Sequence, residues 1–263
     1  MKIKLKMYQV LKTFLLSFFS MMFLASCSSG DESSPAPDPD GGNPSETTNY
    51  YKVIRVENFG YTLADGNEYE DKTTLYYSLA DNKEMGSEYR KTNRWDLAFS
   101  GLYSSFMSGN NGKDPGNFGA GTSASGGIYI VDKSFEEVTE IPAENLFKTG
   151  KEVYGTDENG AFGSGKGWYL YDFDGDLVRD GSYDNKHIAY ALGTPLILKS
   201  GKTVAARTLI LKTANGDYAK IKMISVYKNL FKREEFTRTA PKMYFTFEYV
   251  LIPKGSTKFE IKG

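Results

Sequence analysis

The sequence predicts an all-β fold, a single antiparallel β domain with long loops and very little helix. Aromatic residues make up 14% of the 263 residues, including 19 Tyr and 17 Phe, and such side chains favour the half-buried surface of a pleated sheet. The 27 glycines indicate many turns. From residue 50 onwards, runs of β-branched and aromatic residues recur between Gly, Asp and Asn, as expected for successive strands.

Residues 1–26 are typical of a secretory signal. Lysines precede an apolar segment at residues 14–25, which is long enough for a signal peptide but short for a membrane span. The LASC sequence that ends it resembles the lipobox of bacterial lipoproteins, and Cys27 is the only cysteine in the chain. The resemblance implies cleavage before Cys27 and acylation of its thiol, for example with palmitate. The chain would then contact the membrane only through this lipid anchor.

Residues 27–49 are predicted to be the acylated cysteine and a disordered tether, because Ser, Pro, Gly and Asp dominate and almost no apolar side chain is present. Ser28 and the acidic SSGDESS sequence resemble the export signal of Bacteroidetes surface lipoproteins, which implies the outer membrane, facing the cell exterior. Loss of residues 1–26 removes four lysines and no acid, so the net charge changes from 32 − 33 = −1 to 28 − 33 = −5. No basic surface for nucleic acid is expected.

The folded domain is predicted to span residues 50–263. Its first four strands are expected at residues 50–57, 73–79, 94–99 and 126–132. The one predicted helix is short, residues 142–148, with Pro142 at the first helical position that proline prefers.

Two further features complete the predicted sheet. Residues 203–228 contain two alternating runs around Asn215 and Gly216, a pair that suits a two-residue hairpin turn. Residues 242–253 form the last strand, in which odd-numbered apolar residues alternate with polar Thr246 and Glu248. We expect one buried and one solvated face for this strand.

His187 is the only histidine of the chain, which excludes a metal site built on two histidines. A Ser-His-Asp arrangement would depend on this residue alone, and no nucleophile and base pair is recognisable. The sequence therefore predicts a protein that is not an enzyme. His187 lies in a polar turn before an apolar segment, where a plain surface imidazole is the alternative interpretation.

Asp172, Asp174 and Asp176 have the spacing of oxygen ligands in a calcium loop. Leu177 stands where the sharp turn of that loop needs glycine, and Tyr183 stands where it needs a bidentate glutamate. A solvated acidic turn and a calcium site of another kind both remain open.

Four segments in order resemble HmuY, the haem-binding lipoprotein family of Bacteroidetes. They are NRWDLAFSG with the Gly-rich loop after it, GKGWYLYDF, AARTLILKTANGDYAKIKMISVYKN and MYFTFEYVLIPKGST. Their order and rough spacing fit the family over most of residues 50–258. The resemblance implies a hand-shaped all-β domain that captures haem at the cell surface. It also implies iron acquisition through a TonB-dependent outer-membrane transporter that receives the haem.

The family holds haem iron between two axial side chains, both His or both Met, from loops around the strand that here begins at Trp168. Phe173 stands near one such position, and residues 109–186 contain neither His nor Met. The remaining candidates are His187, Met107 and Met85. Met107 is expected in a flexible loop after the third strand, and Met85 in an exposed loop. Packing of Met107 on neighbouring aromatic rings is its alternative role.

These observations predict a cell-surface lipoprotein that binds haem through an altered set of axial ligands. The alternative is a binding module that keeps the same scaffold but takes a glycan, a peptide or a host protein instead.

Overall fold

Two antiparallel sheets face each other across an aromatic core in the computed structural model, which describes residues 49–60 and 74–262. Both ranges belong to one compact unit. The predicted signal sequence, Cys27 and all but the last residue of the predicted tether lie outside the described residues. No helix within the described ranges is long and apolar enough to cross a membrane.

Strands are the main regular secondary structure of the described residues, and helical segments are few and short, as predicted. The strands, in chain order, are β1 (Val53–Gly60), β2 (Leu75–Ser78), β3 (Lys83–Met85), β4 (Leu97–Ser100), β5 (Phe106–Gly109), β6 (Gly127–Val131), β7 (Tyr169–Asp172), β8 (Ile188–Ala191), β9 (Leu196–Ile197), β10 (Thr203–Val204), β11 (Thr208–Lys212), β12 (Tyr218–Tyr227) and β13 (Lys242–Ile252). The helical segments are 3₁₀ turns at Ser87–Tyr89, Leu102–Ser104, Glu144–Leu146, Tyr183–Asn185 and Arg233–Glu235.

The larger sheet has the strand order β1-β13-β12-β11-β6, and the smaller sheet has the order β3-β2-β4-β5. Two separate ribbons, β7-β8 and β9-β10, complete the fold. Every one of these named strand pairs is antiparallel. The β7-β8 ribbon positions the candidate functional site.

Aromatic side chains join the two sheets. The rings of Phe99 on β4 and Phe245 on β13 lie 4.5 Å apart, and the rings of Tyr77 and Phe247 lie 5.5 Å apart at nearly right angles. Such pairs contribute about 1 kcal/mol each beyond the burial of their area. The aromatic bias of the sequence is thus explained by the layer between the sheets.

The last strand differs from its prediction, because both of its faces are largely buried. Thr246 is buried, and Val250 and Ile252 pack in a second apolar cluster with Phe135 and Phe259. The loop after β6 and the C-terminal segment cover this face, which local alternation in the sequence does not reveal. The prediction of one solvated face was therefore wrong.

The hairpin of β11 and β12 is confirmed, but its turn is longer than predicted. The N–H of Thr213 donates to the carbonyl of Asp217 at 2.8 Å, and the N–H of Asp217 donates to the Thr213 hydroxyl at 2.9 Å. Only Gly216 in this loop has a positive φ, +95°. The connection is therefore a three-residue loop, which needs one left-handed residue rather than two.

The helix predicted at residues 142–148 is instead a single 3₁₀ turn, Glu144–Leu146. The backbone of Lys148 exchanges two hydrogen bonds of 2.9 Å with Ile128 on the edge of β6. This pairing holds the backbone in an extended conformation directly after the turn, so the turn does not continue into the predicted helix.

Candidate functional site

Four neighbouring side chains, Phe162, Tyr171, Phe173 and His187, form a cluster that we call the aromatic rim. The ring of Phe162 lies 5.6 Å from that of Phe173 and 6.1 Å from that of Tyr171. The Phe173 ring meets the imidazole of His187 edge to face at 4.6 Å. Phe162 is 79% exposed and Phe173 is 40% exposed, so the rim presents an apolar surface to solvent.

The β7-β8 ribbon positions the rim. Tyr171 pairs with Ala189 across the ribbon, and the N–H of His187 donates to the carbonyl of Phe173 at 3.1 Å, just beyond the last strand pair. The N–H of Ala161 donates to the carbonyl of Tyr171 at 2.8 Å and so holds Phe162 beside the ribbon. Three segments of the chain therefore converge on one surface.

The connection between β7 and β8 is ordered by a buried carboxylate. Asp172 is fully buried and accepts hydrogen bonds from the N–H groups of Leu177 and Val178 at 3.3 and 3.1 Å. Gly175 has a φ of +73°, and a Cβ there would lie 2.4 Å from the carbonyl oxygen of Asn185. Only glycine allows this close approach.

Two of the four rim residues have left-handed backbone conformations. The φ angle is +65° at Phe162 and +57° at His187. A bulky residue in this region costs of order 1 kcal/mol, and such strain is concentrated at functional sites. The fold holds these two rings in place at an energetic cost.

The imidazole of His187 is partly buried and oriented by a phenol. Nδ1 lies 2.9 Å from the hydroxyl oxygen of Tyr171. Burial lowers the pKa of His187, and the positive charges of Arg238 and Lys242 lower it further, against an opposing effect of Asp174. A neutral imidazole that donates from Nδ1 to Tyr171 has a free lone pair at Nε2, one of the two ring nitrogens that can bind a metal.

The structure does not bring the two methionine candidates to this site. Met107 was predicted in a flexible loop, but it lies in β5, pairs with Phe99 and is fully buried. The residues before it form the 3₁₀ turn Leu102–Ser104, which Gly101 precedes with a φ of +68°. The segment that was predicted to be a flexible loop is therefore a tight turn between β4 and β5. Met107 is a core residue, in accordance with its alternative role.

Met85 was predicted to be exposed, and this was also wrong. It ends β3 at 4% exposure and packs in a small cluster with Tyr76 and Trp95. The other methionines of the described residues, Met223 and Met243, are buried as well. His187 is therefore the one imidazole or thioether of the described ranges that lies outside the core.

The three aspartates of the calcium candidate do not converge on a cation. The carboxylate of Asp172 is occupied by backbone N–H groups, whereas Asp174 and Asp176 are exposed. Within the described ranges, no group of three or more His, Cys, Asp or Glu side chains is arranged to hold a metal ion. The acidic turn is the interpretation that fits this geometry.

Sequence reasoning named His187 as a candidate and noted Phe173 only as a residue near a ligand position of the family, and it missed Phe162 and Tyr171. Phe162 lies in a Gly-rich loop, and Tyr171 is one of many strand tyrosines. Phe162 is the one aromatic residue among the small and polar residues at 155–167, and this isolation was the available signal.

In the part of the chain that the structure describes, the β scaffold exposes aromatic rings beside one imidazole. A family model described as HmuY protein matches residues 70–249. The chain therefore belongs to the HmuY family, a haem-binding type of family rather than a family of enzymes. The resemblance seen in the sequence is confirmed.

Solved structures of the same kind are similar over most of their length. The apo HmuY analogue of Tannerella forsythia is 17% identical, with 77% of this chain and 98% of that chain covered and a TM-score of 0.34. A protein of Bacteroides vulgatus described as HmuY-like and haem-binding is 13% identical, with 75% and 90% covered and a TM-score of 0.28. No curated protein matches the chain.

Proposed function

We propose that the chain binds haem at the aromatic rim and that His187 is its axial ligand. The observation that carries this proposal is the partly buried imidazole of His187, which is oriented by Tyr171 and adjoins the exposed rings of Phe162 and Phe173. Membership of the HmuY family supports haem as the ligand.

The residues of the rim fit the chemistry of haem. Imidazole is a common axial ligand of haem iron, and a hydrogen bond at its second nitrogen fixes the ring and raises its basicity. A porphyrin is flat and apolar, so contact with Phe162 and Phe173 would remove their exposed faces from water. Each phenyl ring that becomes covered contributes up to about 2 kcal/mol.

The proposed ligand set differs from the family pattern of two axial side chains. The methionines of the described residues are enclosed in the core, and the chain has one histidine. We therefore propose one protein ligand to the iron, which is the altered ligand set that the sequence suggests.

We also propose that Cys27 is acylated and anchors the protein in the outer membrane, facing the cell exterior. The lipobox-like LASC sequence and the following tether composition support this. A TonB-dependent transporter would then receive the haem. Metabolic labelling with a palmitate analogue tests the anchor: the wild type should be labelled and Cys27→Ser should not. Labelling of both proteins, or of neither, would contradict the proposal.

Titration of the purified full chain with haem tests the binding function. We expect a shifted Soret band that saturates at one haem per chain. The double substitution Phe162→Ser and Phe173→Ser should weaken binding by more than tenfold, since two apolar contacts are lost. Tyr129→Phe, on the larger sheet, is the control. A wild type without a shifted band would refute haem binding.

The alternative is a binding module for a non-haem ligand with an apolar face, such as a glycan. The observation that favours it is that, in the described ranges, a single imidazole and no thioether lies outside the core, beside two exposed phenyl rings. Glycan-array binding that is lost in the double phenylalanine variant but retained in His187→Ala would support this alternative.

A further inference from the structure

A positively charged side chain lies beside the aromatic rim without a carboxylate partner. The guanidinium of Arg238 stacks over the ring of Tyr183 at 4.4 Å, and Tyr183 is 64% exposed. The ion pairs of the described residues include none with Arg238. Its charge is therefore available to a ligand.

The backbone fixes Arg238 close to His187. The N–H of Arg238 donates to the carbonyl of Asp184 at 2.8 Å, and Asp184 precedes His187 by three residues. Nζ of Lys242 donates to the carbonyl of Arg238 at 2.5 Å. Arg238 and Lys242 are also the cations that lower the pKa of His187 most, against the opposing charge of Asp174, so Arg238 lies within electrostatic reach of the imidazole.

Three other arginines of the described residues are already engaged. Arg55 pairs with Glu57 and Glu248, and Arg207 pairs with two aspartates. The guanidinium of Arg233 donates to three backbone carbonyls in the wall of a cleft of about 420 Å³. These groups hold the fold together, whereas Arg238 is held by an exposed ring.

We propose that Arg238 binds a carboxylate of the ligand at the rim, so that the site selects flat apolar acids over the corresponding neutral esters. This inference rests on the proposed function, since it assigns a second contact to the same ligand. A guanidinium binds a carboxylate with two parallel hydrogen bonds, and stacking on Tyr183 restricts its orientation beforehand. Arg238 is thus a specificity-determining residue.

The test measures the dissociation constants of four ligands for the purified full chain: haem, haem dimethyl ester, protoporphyrin and protoporphyrin dimethyl ester. The iron-free pair reports on the carboxylates without ligation by His187. Wild type should bind each acid about tenfold more tightly than its ester, the size expected for one charge-assisted hydrogen-bonding contact. Arg238→Met should lose this preference by weakening the acids alone. Arg90→Met is the control, because Arg90 is exposed and stacks on Phe118.

The outcomes separate this inference from haem binding itself. Equal affinity of wild type for acids and esters, or unchanged acid affinity in Arg238→Met, would overturn the role of Arg238 even if haem binds. Arg238-dependent binding of protoporphyrin without a haem Soret shift would uphold this inference and refute the proposed function. A wild type that binds none of the four compounds would overturn both.

Discussion

The hydroxyl of Tyr171 lies 2.9 Å from Nδ1 of His187, and this contact orients the only imidazole of the chain. Tyr171 belongs to β7, whereas His187 directly precedes β8. The pairing of the two strands thus sets the position of the proposed iron ligand. A hydrogen bond of this kind fixes both the tautomer and the ring orientation of a metal-binding histidine.

Tyr171→Phe should lower haem affinity about tenfold, because it removes the hydrogen bond at Nδ1 and keeps the ring. Soret titration measures the dissociation constant. Tyr129→Phe removes a hydroxyl from the larger sheet and should leave affinity unchanged. Equal affinities of Tyr171→Phe and wild type would show that the hydrogen bond does not support ligation.

His187 should titrate below its ordinary pKa of 6.5, because burial and the charges of Arg238 and Lys242 disfavour the imidazolium. The imidazole then stays neutral, and able to bind iron, to a lower pH than an exposed histidine would. As the only histidine, it gives a single set of imidazole signals in an NMR pH titration of the ligand-free protein. Arg238→Met should raise the midpoint. A wild-type midpoint at or above 6.5 would contradict this electrostatic assignment.

Asp96 should make the fold less stable as the pH rises. It is buried and accepts N–H hydrogen bonds from Leu79 and Ala214, yet burial raises its pKa to about 6 from 3.8. Because the folded pKa is the higher one, the stabilising contribution is complete below pH 3.8 and is lost as the pH rises through 6. The loss amounts to about 3 kcal/mol by linkage.

Urea denaturation between pH 4 and pH 7 measures this effect as a decrease in the free energy of unfolding. Asp96→Asn cannot ionise and should remove this decrease, although it loses one acceptor and is less stable at pH 4. Parallel pH profiles for Asp96→Asn and wild type would show that Asp96 does not titrate in this range.

Arg207→Met should destabilise the protein by about 3 kcal/mol, because it leaves the carboxylate of Asp157 buried without its cation. Asp157 is fully buried and accepts hydrogen bonds from Nε and Nη2 of Arg207 at 3.0 and 2.8 Å. Asp157 also accepts from the N–H of Gly167 and so closes the loop that carries Phe162. Haem affinity should therefore fall as well.

Thermal unfolding and Soret titration measure the two effects of Arg207→Met. Lys199→Met, an exposed substitution, is the control. A variant with wild-type stability would indicate that the Arg207–Asp157 pair contributes little. Reduced stability with unchanged haem affinity would show that this ion pair stabilises the fold but does not affect ligand binding at the aromatic rim.

Local patterns in the sequence were sufficient for the β11-β12 hairpin and for several other strands, but not for β3 and β5, which were predicted as loops, or for the length of the hairpin turn. The alternation around Asn215 and Gly216 predicted β11 and β12, since cross-strand pairing and turn chemistry are local properties. The burial of the second face of β13 depends on Phe135 and Phe259, which are distant in the chain. Such distant contacts do not change the alternation of apolar and polar residues within one strand, so that alternation cannot predict them.

The candidate site was only partly predictable for the same reason. His187 stood out as the only histidine, but its contacts with Tyr171 and Phe173 arise from the β7-β8 ribbon. Met107 was misplaced because Ser and Gly near it suggested a loop, although they form a tight turn and a buried strand. Sequence composition gave the residue types, and tertiary packing decided which of them reach the surface.

Haem titration of His187→Ala tests the central claim most directly. Wild type should show the Soret shift of an imidazole-ligated iron, and His187→Ala should lose this shift and bind haem at least tenfold more weakly. Met85→Leu, a buried substitution of another candidate ligand, should behave as wild type. The same shifted band in wild type and His187→Ala would contradict the assignment of His187 as the haem ligand.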